Sequence, residues 1–161
     1  MELSRIIISE TNDEQVIVLK EVDGERAFPI VIGIWEAVAI DRNIKGKKTP
    51  RPMTHDLIVE LLRSTDTTLD KVVVTEIRDH TFYAELHLRV SGTESVVSCR
   101  PSDAIAVACR TGTMIYAEES LLDEVGMVAA DGLTDDEPED EAILDEFRDF
   151  LDEIKPEDFD A

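Results

Sequence analysis

The chain has 161 residues, of which 43% are hydrophobic and 33% are charged, and its formal net charge is −21. This length and apolar content fit one compact domain with an appendage, and they exclude a chain that is disordered throughout. No window holds the roughly 18 apolar residues that a membrane span needs, and the N-terminus lacks a signal-peptide pattern. We therefore expect a cytoplasmic protein without a membrane partner.

Most of the negative charge lies near the C-terminus. Residues 131–161 contain 15 acidic and 2 basic residues, whereas the other 130 residues contain 22 acidic and 14 basic residues. The segment 129–140 has the composition of an acidic linker. In 141–161, apolar residues recur at helical spacing and predict an amphipathic helix: Ile143, Phe147, Phe150, Leu151 and Ile154. The body, residues 1–128, is only mildly acidic, so the net charge does not exclude a nucleic-acid partner.

The first half of the body predicts three strands and two helices. Apolar runs rich in β-branched residues predict strands over 3–9, 15–22 and 26–32. Periodic apolar residues then predict helices over about 34–44 and 54–64, separated by a segment with Gly46, Pro50 and Pro52.

The second half predicts three longer strands, LDKVVVTEIRD, TFYAELHLRV and ESVVSC, followed by a helix from Pro101 to Arg110. The short strand MIYA and a last helical turn in EESLLDEV complete the body. About seven strands with three to four helices in irregular order do not form a βαβ repeat. We therefore predict an α+β fold with a mixed, curled or barrel-like sheet and flanking helices.

Two similar segments begin helices, RPMTHDL at 51–57 and RPSDAIA at 100–106. Thr54 and Ser102 are typical helix-cap residues, and Asp56 and Asp103 suit the positive end of a helix dipole. Capping does not explain the remaining polar residues, which are Arg51, His55 and Arg100. Because histidine titrates near neutral pH and arginine binds anions, the two helix starts could form one polar site or two structural Arg–Asp pairs.

A cluster of cations lies beside the first of these segments and contains no acidic residue: Arg42, Lys45, Lys47, Lys48 and Arg51. In an acidic protein this cluster is either a solvated loop or a contact for a phosphate backbone. Nucleotide-binding loops, the hydrolase elbow and zinc-protease motifs are absent from the sequence.

Four segments, FPIVIGIWEAVAI, RPMTHDL, TFYAEL and RPSDAIAVACR, closely resemble the bifunctional nuclease domain family of bacteria and plants. The resemblance covers about residues 1–125. It implies a mixed, barrel-like sheet with flanking helices and cleavage of both DNA and RNA. The charged residues of the family motifs match Glu36, His55, Asp56, Arg100 and Asp103. Ser98 stands where the resemblance leads us to expect Asp, which removes one candidate metal ligand.

From this resemblance we predict a nuclease that hydrolyses phosphodiester bonds of DNA, RNA or both. The predicted ligands of a divalent cation, Mg²⁺ or Mn²⁺, are Glu36, Asp56 and Asp103. His55 would act as general base or ligand, Arg100 would stabilise the phosphate, and the cation cluster 42–51 would guide the backbone.

The alternative is a non-enzymatic oligomeric or regulatory module. Arg–Asp pairs would then brace the helix starts, and the terminal helix would mediate assembly of a homo-oligomer, such as a dimer. In a third interpretation the acidic tail covers the cation cluster as a mimic of nucleic acid. Geometry separates the first two hypotheses, because catalytic residues must converge on one accessible cleft whereas structural pairs are buried and saturated.

Overall fold

The computed structural model describes residues 1–8 and 14–128, so the predicted linker and C-terminal helix lie outside the described residues. The strands in this part of the chain are β1 (Glu2–Ile8), β2 (Glu14–Lys20), β3 (Arg26–Gly33), β4 (Thr67–Arg78), β5 (Thr81–Val90), β6 (Thr93–Cys99), β7 (Ile115–Ala117) and β8 (Met127–Val128). The helices are α1 (Ile34–Ile44), α2 (Thr54–Ser64), α3 (Pro101–Thr111) and α4 (Glu119–Val125). The predicted α+β class, with about seven strands and three to four helices, is confirmed. The eighth strand, β8, has only two residues.

The strands form two separate sheets, with orders β1-β2-β3-β8 and β6-β5-β4-β7. The first is antiparallel, and the second is mixed because β4 and β7 are parallel. The prediction of one curled or barrel-like sheet was therefore wrong. Helices α1 and α2 separate β3 from β4 along the chain. On its other edge, β3 pairs with β8 and β4 pairs with β7, which are both short strands from the C-terminal part of the body.

The hairpin between β4 and β5 turns at Asp79 and His80, which lie between the two predicted strands. Both residues have positive φ, 50° and 58°. Two consecutive residues of positive φ give a turn whose twist matches that of the flanking strands. The turn therefore fixes the register in which Arg78 faces Thr81.

Helix α3 packs against β4 and β5 of the second sheet, and one continuous core joins these elements to the first sheet. Ile17 and Phe28 of the first sheet, Val72 of the second and Ile105 of α3 are all fully buried in it. The rings of Phe28 and Phe82 stack across the two sheets, with their centroids 5.9 Å apart. Alanines at three positions of α3 leave little side-chain bulk between its backbone and the sheets, namely Ala104, Ala106 and Ala108. The middle of α3 is therefore inaccessible, and only its two ends can carry polar chemistry.

Two further observations concern the surface. The side chain of Trp35 at the start of α1 is exposed, with 78% of its surface accessible. None of the helices in residues 1–8 and 14–128 is long and apolar enough to cross a membrane.

Candidate functional site

Helices α1 and α3 run side by side in the same direction. At their starts, Arg100, the N-cap of α3, donates from Nη2 to Oε1 of Glu36 in the first turn of α1 at 2.9 Å. At their last turns, Asn43 Nδ2 donates to the carbonyl oxygen of Cys109 at 2.9 Å. The first turn of α2 packs against α3, so the starts of all three helices contribute to one polar region.

The two RP segments begin their helices in different ways. The N-cap residues are Met53 and Arg100, both with extended backbone, and neither residue's own side chain forms a capping hydrogen bond. The predicted capping roles of Thr54 and Ser102 were therefore wrong. Pro101 occupies the first turn of α3, which makes the preceding residue the cap, whereas Pro52 lies before the cap of α2. Arg51 is consequently not the counterpart of Arg100, and its side chain is exposed and forms no ion pair with any described residue.

Four of the five predicted catalytic residues form one hydrogen-bonded network, which we call the Arg100 cluster: Glu36, His55, Arg100 and Asp103. Arg100 donates to Asp103 through Nε at 2.8 Å and through Nη2 at 3.1 Å, and it also reaches Glu36. His55 Nε2 lies 3.1 Å from Asp103 Oδ1. The Arg100 side chain is 66% exposed, whereas that of His55 is only 9% exposed. The cluster therefore presents mainly its guanidinium to solvent.

Glycine at position 33 allows Glu36 to take its place in this network. A Cβ at residue 33 would overlap the Glu36 carboxylate, which folds back over the start of α1. A larger residue at this position would have to push the carboxylate away from Arg100. This geometry depends on Gly33, which the motif analysis did not single out.

The charge of Asp103 determines which ring nitrogen of His55 carries the hydrogen in the neutral imidazole. Burial raises the pKa of Asp103, but hydrogen bonds from Arg100 and His55 outweigh burial, so the pKa lies below its usual value. Asp103 is therefore ionised at neutral pH and accepts a hydrogen bond from the His55 Nε2–H. In the neutral imidazole this leaves the lone pair on Nδ1, and that nitrogen can take up a proton.

Asp56 belongs to a different structure, which we call the Arg110 clamp. Arg110 donates to Asp56 Oδ1 at 2.6 Å, to the Ala106 carbonyl at 2.8 Å and to the Ala39 carbonyl at 3.1 Å. The other Asp56 oxygen accepts from the Met53 backbone N–H at 2.9 Å. Arg110 is buried, with 7% of its side chain exposed, and its hydrogen bond lowers the pKa of Asp56, followed by the bond from Met53. Arg110 thus joins all three helices through a saturated pair.

The predicted metal ligands do not form a site that fits a cation. Glu36 and Asp103 both accept from Arg100, while Asp56 pairs with Arg110 at the other end of α3. Within the described ranges, no group of three His, Cys, Asp or Glu residues is arranged to hold a metal ion. A cation bound by these carboxylates would compete with a guanidinium that already neutralises them.

Two residues near the site were not predicted from the sequence motifs. Arg110 lies seven residues after Asp103, so both fall on one side of α3, and this spacing was the available signal for the clamp. His80, in the turn between β4 and β5, lines a cavity of about 260 Å³ together with Arg100, Pro101 and Ser102. The pairing of β4 with β5 brings His80 there, and no local sequence pattern indicates it.

The predicted cation cluster is only partly assembled. Arg42, Lys47 and Lys48 line a cavity of about 580 Å³, which also contacts Asp56 and Arg110. We call it the cationic cavity. Lys45 instead forms an ion pair with Asp41 at 2.7 Å, and Arg51 does not line the cavity. The cationic cavity and the Arg100 cluster lie toward opposite ends of α3.

The fold is thus an α+β domain that carries an exposed arginine, a carboxylate-bound histidine and a separate cationic cavity. Residues 17–130 match the model of the Bifunctional nuclease domain, and the chain belongs to that family. It is 38% identical, over 163 aligned residues, to an uncharacterized protein found in two strains of Mycobacterium tuberculosis. The match covers 97% of this chain and 94% of the mycobacterial protein.

Proposed function

We propose that this protein is a nuclease that hydrolyses phosphodiester bonds of DNA, RNA or both at the Arg100 cluster. The observation that carries the proposal is the chain of hydrogen bonds from His55 through Asp103 to the exposed Arg100. It combines a group that can accept a proton with a cation that can bind a phosphate. The name of the family agrees with this chemistry.

Arg100 is suited to hold the phosphate that reacts. Its Nε and Nη2 are engaged by carboxylates, and its Nη1 has no partner within the described part of the chain. Its pKa is raised, first by the hydrogen bond to Asp103, so the guanidinium is always charged. The adjacent cavity of about 260 Å³ has room for a phosphate group. Charge that develops on the phosphoryl oxygens would be stabilised by this fixed cation.

His55 acts in the proposal as the general base. Nδ1 removes a proton from the water that attacks phosphorus, and ionised Asp103 stabilises the imidazolium that forms. His80 lines the cavity beside Arg100 and can donate a proton to the leaving oxygen. The water oxygen forms the new bond to phosphorus, and the bond to the leaving oxygen breaks. The proton from water ends on His55, and His80 supplies the one on the product alcohol.

The ion pairs of Glu36, Asp56 and Asp103 favour a hydrolysis that does not use a metal ion bound to these carboxylates. Arg100 already neutralises Glu36 and Asp103, so Mg²⁺ or Mn²⁺ would compete with it for these carboxylates, and Asp56 is committed to the clamp. Addition of EDTA is therefore expected to leave activity within about twofold. A complete and reversible loss of activity in EDTA would contradict this part of the proposal.

The test is hydrolysis of labelled single-stranded DNA and RNA by wild type, His55→Gln and Arg100→Met. We expect His55→Gln to lower kcat by about 10²- to 10⁴-fold, which is the usual contribution of a general base. His87→Gln is the matched control, since His87 lies in the middle of β5 and its ring contacts Glu85 rather than any residue of the Arg100 cluster. Equal rates for His55→Gln and wild type, or absence of hydrolysis by pure wild type, would overturn the proposed function.

A second candidate function, an oligomeric interaction module, is favoured by strand β6. This strand forms the edge of the second sheet, and six of its seven residues are exposed. Val96 and Val97 point to opposite faces, with 52% and 44% of their surfaces accessible. An exposed apolar edge strand offers free backbone groups to another strand, and a second copy of this chain supplies a matching one.

Light scattering coupled to size exclusion tests this second candidate. A dimeric wild type that becomes monomeric in Val97→Lys would support it, because a charge on an edge strand opposes strand pairing. A monomeric wild type at micromolar concentration would contradict it. Hydrolysis and assembly are independent measurements, so either candidate can fail alone.

A further inference from the structure

The cationic cavity contains charge that the proposed reaction does not use. Arg63 pairs with Glu60 at 2.8 Å, and Arg110 pairs with Asp56, so these two cations are neutralised. The other three, Arg42, Lys47 and Lys48, are exposed and form no ion pair within residues 1–8 and 14–128. Three unpaired positive charges thus face one concave surface.

The lining of this cavity is suited to a phosphate-bearing ligand rather than to a simple ion. Unpaired like charges in one concavity raise the local positive potential and attract anions. Apolar groups from Pro52, Met53 and Val59 line the same cavity, and Val59 is buried. A nucleotide unit presents a charged phosphate together with the less polar faces of its sugar and base. The volume of about 580 Å³ is large enough for more than one phosphate.

Helix α3 fixes the distance between this cavity and the proposed reaction site. Arg100 caps the start of α3, and Arg110 in its last turn lines the cationic cavity. Ten residues of α-helix rise by about 15 Å. Along one strand of a duplex, phosphates repeat every ~3.4 Å, so about four nucleotide steps cover this distance. An extended single strand covers it in fewer steps, so about five nucleotides are enough for either form to reach both sites.

We propose that the cationic cavity binds phosphates of the same nucleic-acid strand whose reacting phosphate lies at Arg100. This inference rests on the proposed function and adds a substrate class, oligonucleotides of about five or more residues in place of mono- or dinucleotides. Lys47 and Lys48 supply affinity for the strand, and they take no part in the chemical step.

The first test measures binding separately from cleavage. Anisotropy of fluorescein-labelled oligothymidylates is recorded with full-length protein carrying His55→Gln, which prevents hydrolysis during the titration. Adding Lys47→Ala with Lys48→Ala is expected to weaken binding of a 12-residue oligonucleotide at least tenfold. The salt dependence of log K should also become shallower by about 1.4, since each phosphate contact to a single strand contributes about 0.7.

Lys20→Ala with Lys71→Ala is the matched control, since it removes the same charge from residues that line none of the described cavities. Binding by this control should stay within twofold of the parent. An equal loss in both double variants would overturn the inference, because net charge alone would then explain the affinity. Absence of oligonucleotide binding by the parent would overturn it as well.

The second test measures kcat/KM against oligonucleotide length in protein with His55 intact. For wild type, kcat/KM is expected to rise steeply with length up to about five nucleotides and then to level off. For the Lys47→Ala, Lys48→Ala variant, kcat/KM should not change with length. Efficient cleavage of dinucleotides by wild type, with no gain from length, would overturn the inference while leaving the nuclease proposal intact. Cavity-dependent binding without any cleavage would support the inference as a binding site and overturn the nuclease proposal.

Discussion

His55 and Asp56 are adjacent in the sequence, yet their side chains contact opposite ends of α3. His55 Nε2 lies 3.1 Å from Asp103 near the start of that helix, and Asp56 Oδ1 lies 2.6 Å from Arg110 near its end. The first turn of α2 therefore contributes to two structures. The Arg100 cluster is partly exposed to solvent, whereas the Arg110 side chain of the clamp is buried. The motif THD thus combines a candidate reaction site with a structural clamp.

The clamp predicts that Arg110 stabilises the fold and that lysine cannot replace it. Lysine cannot reproduce the planar fork that reaches Asp56, Ala39 and Ala106 together. We expect Arg110→Lys to lower the free energy of unfolding by about 2 to 3 kcal/mol, below the ~3–5 kcal/mol of a fully buried pair because Asp56 is 38% exposed. Urea unfolding measures the change. Arg63→Lys, in an exposed ion pair, should change stability by less than about 0.5 kcal/mol, and equal effects of the two variants would contradict the clamp.

The lowered pKa values of Asp56 and Asp103 predict how stability changes in acid. Each group has a lower pKa in the folded protein than in the unfolded chain. Each therefore contributes stability that is present above the unfolded value of about 3.9 and is lost as the pH falls through the folded value. We expect Asp56→Asn to be destabilising at pH 7 and closer to wild type at pH 2.5. Thermal unfolding across this range tests the prediction.

Asp66→Asn is the control for acid unfolding, because the Asp66 side chain forms no ion pair in the described residues. Its difference from wild type should be small at both pH values. If the difference in stability between Asp56→Asn and wild type grew as the pH fell, the result would contradict a lowered pKa for Asp56.

Asp103→Asn separates a catalytic network from a purely structural one. Asparagine can donate to His55 Nε2 through its amide and so favours the tautomer with the proton on Nδ1, which cannot act as a base. If the proposed function holds, kcat should fall by at least about 10²-fold. The folded fraction at pH 7, measured by circular dichroism, should remain high. Glu36→Gln removes the other Arg100 partner, and its effect should be smaller because it leaves the His55 tautomer unchanged.

The two cysteines are predicted to react slowly in the folded protein. Burial raises the pKa of the Cys99 thiol to about 11, helped by the charges of Asp103 and Glu85, and burial also raises the pKa of Cys109. Little thiolate is therefore present at pH 7.5, and thiolate is the reactive form. A colorimetric thiol reagent should label neither residue quickly in buffer, and it should label both in urea. Rapid labelling of either thiol in buffer would contradict this prediction.

Local patterns predicted most of the elements. The alternation in TFYAELHLRV and the turn at Asp79 and His80 indicated the β4–β5 hairpin, because period-two burial and turn residues act over short distances. The helices at 34–44 and 54–64 were also predicted at their observed limits. The helix caps were less predictable. Thr54 and Ser102 are residue types that can cap, but the N-cap residues are Met53 and Arg100, since Pro52 precedes the cap of α2 and Pro101 follows that of α3.

Long-range pairing limited the rest of the prediction. The division into two sheets depends on β7 pairing with β4 and on β8 pairing with β3, and each of these strands has at most three residues. The membership of the Arg100 cluster was predicted from motif residues, whereas the Asp56–Arg110 pair required knowledge of how α2 crosses α3. His80 reaches its cavity only through sheet pairing, so no local pattern could assign it.

The arrangement of the two sheets has a consequence for the order of folding. Strands β1, β2 and β3 are sequence neighbours, as are β4, β5 and β6, so each group can form with short chain closures. The polar region at the helix starts joins residues as far apart as Glu36 and Arg100, which are 64 positions apart. Its formation must therefore wait until both sheets hold the helices in place. Native-state hydrogen exchange should then show lower protection in the first turn of α2 than in β2 or β5, so that the site opens while the sheets persist.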